Sequence, residues 1–218
     1  MKYLFNRLFY VFIVRPWLRL IIGVRFQNRD VFNNLDQFIV VANHNSHFDT
    51  VSILAALPSS KLKTTHAVAA GDYFGKTSIT KFLMSIFFNA ILINRNRKEG
   101  EPSAIDIMDE YLKKGASFIL FPEGSRGKPG VIADFKKGIA VLLKRNPRIP
   151  FVPVYLDGFG RVLPKDQRLI IPLVCKVRFG EPFYIQDDNI EDILEDVKKA
   201  ILNLKGKDER DRNQFDFE

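Results

Sequence analysis

Six short apolar runs, each of strand length, recur along the chain with helical patterns between most of them. They are Phe38–Ala42, His66–Ala70, Ala90–Asn94, Ser117–Phe121, Phe151–Leu156 and Val174–Phe179. The intervening patterns are Thr50–Leu57, Lys76–Phe88 with Ile79, Phe82, Leu83 and Ile86 in helical spacing, and Ser103–Lys114 with Ile105, Met108 and Leu112. Lys137–Arg145 and Ile190–Leu204 complete the set. Buried strands alternating with helices predict an α/β domain with a mixed, largely parallel sheet flanked by helices. With 218 residues, no internal repeat and no long linker, a single domain over residues 31–204 is expected. The charged segment 205–218 has almost no aliphatic residues and reads as a loose tail.

Residues 1–30 have a different character. Residues 3–14 are almost all apolar, followed by Arg15, Pro16, Trp17 and a second apolar patch from Leu20 to Val24. The first run falls short of the roughly 20 residues that a spanning helix needs. A single span would put Arg15 near the bilayer centre, at a cost of about 3 kcal/mol. No small-residue cleavage site follows, which argues against a secretory signal. The expectation is two short helices lying in a membrane interface, with Phe5, Phe9, Phe12 and Trp17 contacting lipid. The alternative is a helix packed on the protein's own core.

The net charge of +8 favours an anionic partner. Basic residues are spread along the chain without a nucleic-acid-binding motif, so a membrane surface fits better than nucleic acid. The single cysteine, Cys175, lies in a strand-like alternation with Val177 and Phe179 and reads as a core residue. No cysteine-based metal site is visible, and no metal is expected.

Four runs carry the chemistry. In Asn43-His44-Asn45-Ser46-His47-Phe48-Asp49 a histidine follows a buried strand, with a carboxylate five residues on. Such a carboxylate can fix the imidazole tautomer and stabilise its charged form, a general-base arrangement. Ser46-x-x-Asp49 equally fits a helix capping box, so Asp49 can serve the helix, the histidine or both. His47 is a second candidate base. Phe121-Pro122-Glu123-Gly124-Ser125-Arg126-Gly127 places two glycines and a charged pair directly after a strand, where α/β sheets build their sites. Arg95 ends a third apolar run, and Pro153 sits inside a fourth, implying an edge strand or a bulge.

Taken in this order, the four runs resemble the glycerolipid acyltransferase family, typified by 1-acylglycerol-3-phosphate acyltransferase. The family's Asn-His-x4-Asp block corresponds to Asn43, His44 and Asp49. Its Phe-Pro-Glu-Gly-Ser/Thr-Arg block matches Phe121 to Arg126 throughout, and its apolar-Pro-apolar block matches Val152-Pro153-Val154. Phe135-Lys136-Lys137-Gly138 is similar to the segment that follows in the family. In the remaining block Arg95 fits, but Asn89 stands where glycine is expected and Leu92 where Phe or Pro is common. The resemblance covers roughly residues 35–180.

The resemblance implies transfer of a fatty acyl group from acyl-CoA or acyl carrier protein to a lysophospholipid hydroxyl, with 1-acylglycerol-3-phosphate as the default acceptor. It makes His44 the base and Asp49 its orienter. Arg95, Arg126 and Lys136 would bind the acceptor phosphate, with Glu123, Gly124 and Ser125 completing that site. Backbone N–H groups around Gly124 would serve the oxyanion. No cofactor is implied, and the expected location is the cytoplasmic face of a membrane, peripheral or monotopic. Two other readings remain: a lipid or thioester hydrolase using Ser46 or Ser125, and a non-catalytic basic membrane-binding protein. The Gly-x-Ser-x-Gly elbow of hydrolases is absent.

Overall fold

The computed structural model describes residues 2–46, 48–94, 100–127, 131–162 and 175–215. Its centre is a seven-stranded sheet of β1 (Val24–Gln27), β2 (Ile39–Ala42), β3 (Thr65–Ala70), β4 (Ile91–Ile93), β5 (Ser117–Leu120), β6 (Phe151–Asp157) and β7 (Cys175–Phe179). The order is β1-β7-β6-β2-β5-β3-β4, and only the β6–β7 pair is antiparallel. The mixed, largely parallel sheet expected from the alternation is therefore present. β2 lies between β5 and β6 and is buried on both faces. That burial explains its unbroken Ile-Val-Val-Ala sequence.

Helices cover both faces. Phe38, Val40 and Ala42 share one core with the N-terminal helix and with α3 (Phe48–Ala56). Ile39 and Val41 point to the other, with α6 (Ala104–Lys113), α7 (Gly138–Arg145) and α9 (Ile190–Phe215). The short α4 (Gly71–Phe74) and α5 (Ser78–Phe88) connect β3 to β4, and α8 (Phe159–Val162) follows β6. Cys175 is a buried core residue.

The N-terminal segment is one helical run rather than two short helices. α1 (Lys2–Phe9) and α2 (Arg15–Trp17) are joined and extended by π turns at Tyr10–Val14 and Leu18–Ile22. Asn6, Tyr10, Val14, Leu18 and Ile22 are buried, one residue in every four. In an ordinary α-helix a four-residue repeat drifts about 40° round the axis at each step. The wider π turns absorb that drift and keep the stripe on the core. Pro16 sits at the start of α2, directly after a π turn, where the ladder already departs from its regular spacing. Gly23 ends the run with φ 76°, in the left-handed region. Among the described residues no helix is long and apolar enough to cross a membrane.

Three local features differ from the sequence expectation. Residues 24–27, grouped with the N-terminal segment, form β1 and pair with β7. Pro153 lies in an interior strand, not at an edge, and sits where the pairing with β7 slips by one residue, between Val154↔Phe179 and the Phe151↔Phe183 bridge. It is tolerated because the β6–β7 ladder starts at Val154, and because Gly180 leaves room for the ring. A Cβ on Gly180 would stand 2.6 Å from the proline Cγ. The tail expected to be loose continues α9 as far as Phe215. Extending an existing helix with charged residues of good helix propensity is cheap, whereas starting one is not.

Asn89, the departure from glycine, caps α5 with φ 47°, a left-handed position where Asn is the usual substitute for Gly. Its side chain donates to the carbonyls of Lys63 and Thr65, and its own carbonyl accepts from His66 Nδ1. Burial pulls the His66 pKa below its ordinary value despite that hydrogen bond, with Lys2 adding to the depression. His66 therefore binds fewer protons folded than unfolded between its lowered pKa and about 6.5, and stability falls as pH drops through that window. A shift from about pH 7 to about pH 5 should lower the melting temperature of wild type more than that of His66→Gln. Separately, α6 opens with a reciprocal capping box between Ser103 and Asp106. Ser103→Ala is expected to cost about 1 kcal/mol in denaturant unfolding.

Candidate active site

β2 and β5 are parallel neighbours, in register at Val41 and Leu120. Both chains leave the sheet at the same edge, the carboxyl end where α/β proteins build sites. The turn after β2 carries His44 and the turn after β5 carries Glu123. Adjacency in the sheet thus brings together two motifs 79 positions apart.

Asp49 lies in the first turn of α3 and is fully buried. Its Oδ2 accepts from the backbone N–H of Asn45 at 2.7 Å and of Ser46 at 2.8 Å. The same oxygen stands 2.9 Å from His44 Nδ1. Two backbone donors keep the carboxylate fixed, so Nδ1 carries the proton and donates it to Oδ2. The basic lone pair of the ring is then on Nε2. Ser46 caps the helix, with Oγ accepting from the Phe48 N–H at 3.3 Å. Asp49 hence serves both the cap and the histidine through one oxygen.

The imidazole is one-fifth exposed and stacks on Phe121, ring centroids 4.1 Å apart. Its backbone is held too. Glu123, 3% exposed, accepts the His44 N–H on Oε1 at 2.8 Å and the Ala133 N–H on Oε2 at 3.0 Å. Gly127 N–H closes the bracket by donating to the His44 carbonyl at 2.9 Å. Asn43 fixes the preceding residue. Its amide donates to the Leu156 carbonyl and accepts the Leu156 N–H, tying the end of β2 to β6. Nothing in the spacing signals this second tie, although the motif itself contains Asn43.

The other expected site residues divide. Gly124, Ser125, Arg126 and Lys136 are exposed beside Glu123, and the Lys136 stem lies over Gly124. Glu123 is not among them on the surface, because both its oxygens bond backbone. Gly124, with φ 73°, forms the turn, but its N–H donates to the Phe121 carbonyl. It is therefore not the oxyanion donor that the glycine turn suggested. Arg95 and His47 lie outside the described residues.

The four aromatic residues expected on lipid separate in the same way. Phe5 and Phe12 are exposed, whereas Phe9 and Trp17 are half-buried. Phe9 packs on Phe87, and Trp17 packs on Phe48 beside Asp49. With Tyr10, Ile13, Val14, Val51, Phe87 and Phe88 they line an apolar cleft of about 430 Å³. The cleft runs along the N-terminal helix to the first turns of α3, which hold Asp49. Arg15 secures the other end of α3. It donates to the carbonyls of Ala55, at 2.7 Å, and Leu57.

The sequence profile of the Acyltransferase family matches residues 23–157, which contain the whole His44–Glu123 assembly. The chain belongs to this family. A chloroplastic 1-acyl-sn-glycerol-3-phosphate acyltransferase of Brassica napus is 28% identical over 173 residues, covering 77% of this chain and 48% of its own. The human 1-acyl-sn-glycerol-3-phosphate acyltransferase alpha is 24% identical over 196 residues, 86% of this chain and 66% of its own. The chain thus spans about half the length of the plant relative. The crystal structure of the 1-acyl-sn-glycerophosphate acyltransferase PlsC from Thermotoga maritima has the same fold. Its TM-score is 0.71 at 22% identity, covering 94% of this chain and 78% of that one.

Glu123→Gln puts an amide N–H₂ where one of two backbone N–H groups needs an acceptor. An unfolding cost of about 1–3 kcal/mol is expected by denaturant titration. A cost near zero would mean that the two bonds do not form together.

Proposed function

We propose that this acyltransferase moves a fatty acyl group from a thioester, acyl-CoA or acyl carrier protein, to the hydroxyl of a lysophospholipid. The acceptor we favour is 1-acylglycerol-3-phosphate, giving phosphatidic acid. The observation that carries the proposal is the His44 ring, held by Asp49 with its basic nitrogen away from the carboxylate. The names of the relatives support the choice of acceptor.

In the proposed step His44 Nε2 takes the proton of the acceptor hydroxyl as its oxygen attacks the thioester carbonyl carbon. The tetrahedral intermediate collapses by breaking the C–S bond. The imidazolium returns its proton to the departing thiolate, so the histidine ends as it began. Asp49 stabilises the imidazolium in between, at 2.9 Å from Nδ1. Direct attack needs no nucleophilic serine, metal or redox group. Ser46 Oγ already serves the α3 cap.

Arg126 and Lys136, exposed at the turn after β5 and beyond it, suit the acceptor's phosphate. Arg95 joins them in the proposal on the strength of its motif. Glu123 acts behind His44 as a positioning residue. The apolar cleft, beginning at Phe9 and reaching Val51, suits an acyl chain whose carbonyl lies near His44. A chain with an exposed apolar helix works most simply at a membrane surface, and the cytoplasmic face is where the thioester donors are at hand.

The test is mass spectrometry of products from purified protein given acyl thioesters and lysophosphatidate. Wild type should yield the diacyl product. His44→Ala, still folded, should lose about 10²–10⁴-fold in rate. Free fatty acid formed without diacyl product would point to a hydrolase instead. Full activity in His44→Ala would remove the histidine from the chemistry.

A further inference from the structure

The helical spacing of Ile79, Phe82, Leu83 and Ile86 in α5 is the pattern of a core-facing stripe. In the structure no residue of α5 is buried. Ile79 is 71% exposed, Phe82 62% and Leu83 42%. The helix is nonetheless well terminated. Thr77 caps its start, accepting from the Thr80 N–H, and Asn89 closes its end. A well-formed helix with its apolar stripe turned outward lacks a partner for that stripe.

The end of α5 packs on α1. Asn6 donates to the carbonyls of Ile86 and Phe87, and Lys2 donates to Ser85 Oγ at 2.8 Å. Phe87 meets Phe9 at 4.7 Å and the exposed Phe5 at 6.3 Å between ring centroids. The outward surfaces of the two helices therefore join at Phe5. On α1 and the π turn after it, Leu4, Phe12 and Ile13 are also exposed.

Charge identifies the occupant. No acidic residue occurs from residue 1 to residue 29 or from residue 73 to residue 98. Lys2, Arg7, Lys76 and Lys81 lie on or beside the two helices, and Lys63 lies over the Tyr3 ring. Apolar side chains with cations and no carboxylates complement an anionic lipid surface. A second copy of this chain would bring like charges face to face.

We propose that α5 is a second lipid-docking element, which with α1 seats the protein on an anionic bilayer through Ile79, Phe82 and Leu83. This deepens the lysophospholipid reading and rests on it only for the substrate drawn from the bilayer. Phe87 and Phe88, at the end of α5, also line the apolar cleft. Docking through α5 therefore places the mouth of the cleft at the lipid surface.

The test is flotation with phosphatidylcholine vesicles, with and without phosphatidylglycerol, using the full chain and the double variant Phe82→Ser with Leu83→Ser. The variant should keep its melting temperature and its rate on a short-chain, water-soluble acceptor. Its partitioning to the anionic vesicles should fall about tenfold or more. Lys76→Glu with Lys81→Glu should lose binding to the anionic vesicles only. Wild-type binding by the Phe82/Leu83 variant would overturn the proposal. So would a wild-type dimer, seen by light scattering, that this variant dissociates without a change in vesicle binding. A wild type that binds vesicles but acylates nothing would sink the acyltransferase reading and leave the docking element standing.

Discussion

One oxygen atom organises the site. Asp49 Oδ2 receives the Nδ1–H of His44 and the backbone N–H groups of Asn45 and Ser46. The two backbone bonds start α3 and fix where the carboxylate points. The third sets the tautomer of the imidazole. Because Asp49 is fully buried, these bonds act with little competition from water. Moving α3 along its axis would break all three together. Arg15 resists that movement from the far end by bonding the carbonyls of Ala55 and Leu57. The N-terminal helix and the start of the site are thus mechanically linked through α3.

A second buried carboxylate does the complementary work. Glu123 holds the backbone of His44 while Asp49 holds its ring. Both carboxylates bond backbone N–H groups, which cannot swing away as side chains do. The imidazole is therefore presented in one orientation, with Phe121 beneath it. In the proposed step, pre-set orientation of this kind spares reorganisation as charge appears on the ring. Arg126 and Lys136 are exposed beside this frame, where the proposed function has them meet the acceptor's phosphate.

Much of this architecture was legible in the chain. Apolar runs separated by helical patterns identify six of the seven strands, most clearly β2, β5 and β6, which are buried on both faces, while β7 is legible from its alternation. β1 escaped because Val24–Gln27 alternates in burial and follows an apolar helix without a break in composition. Pro153 left edge and bulge open because its tolerance inside the sheet depends on a neighbour 27 positions away, Gly180, which sequence spacing does not reveal. The direction of the α5 stripe was equally hidden. Periodicity shows that a helix has an apolar face, not what that face meets. Within the site, His44 and Asp49 could be paired from local spacing. The position of Glu123 behind His44 follows only from the adjacency of β2 and β5. Of the roles that the spacing left open for Asp49, helix, histidine or both, one oxygen fills both.

The central claim is that Asp49 holds His44 with its proton on Nδ1 and its basic lone pair on Nε2. Nitrogen-15 NMR of the histidine rings measures this directly, with His44→Gln identifying the resonance. The account predicts a pyrrole-like Nδ1 and a pyridine-like Nε2 for neutral His44, with the preference lost in Asp49→Ala. A neutral His44 protonated on Nε2, or an even mixture of the two tautomers, would contradict it.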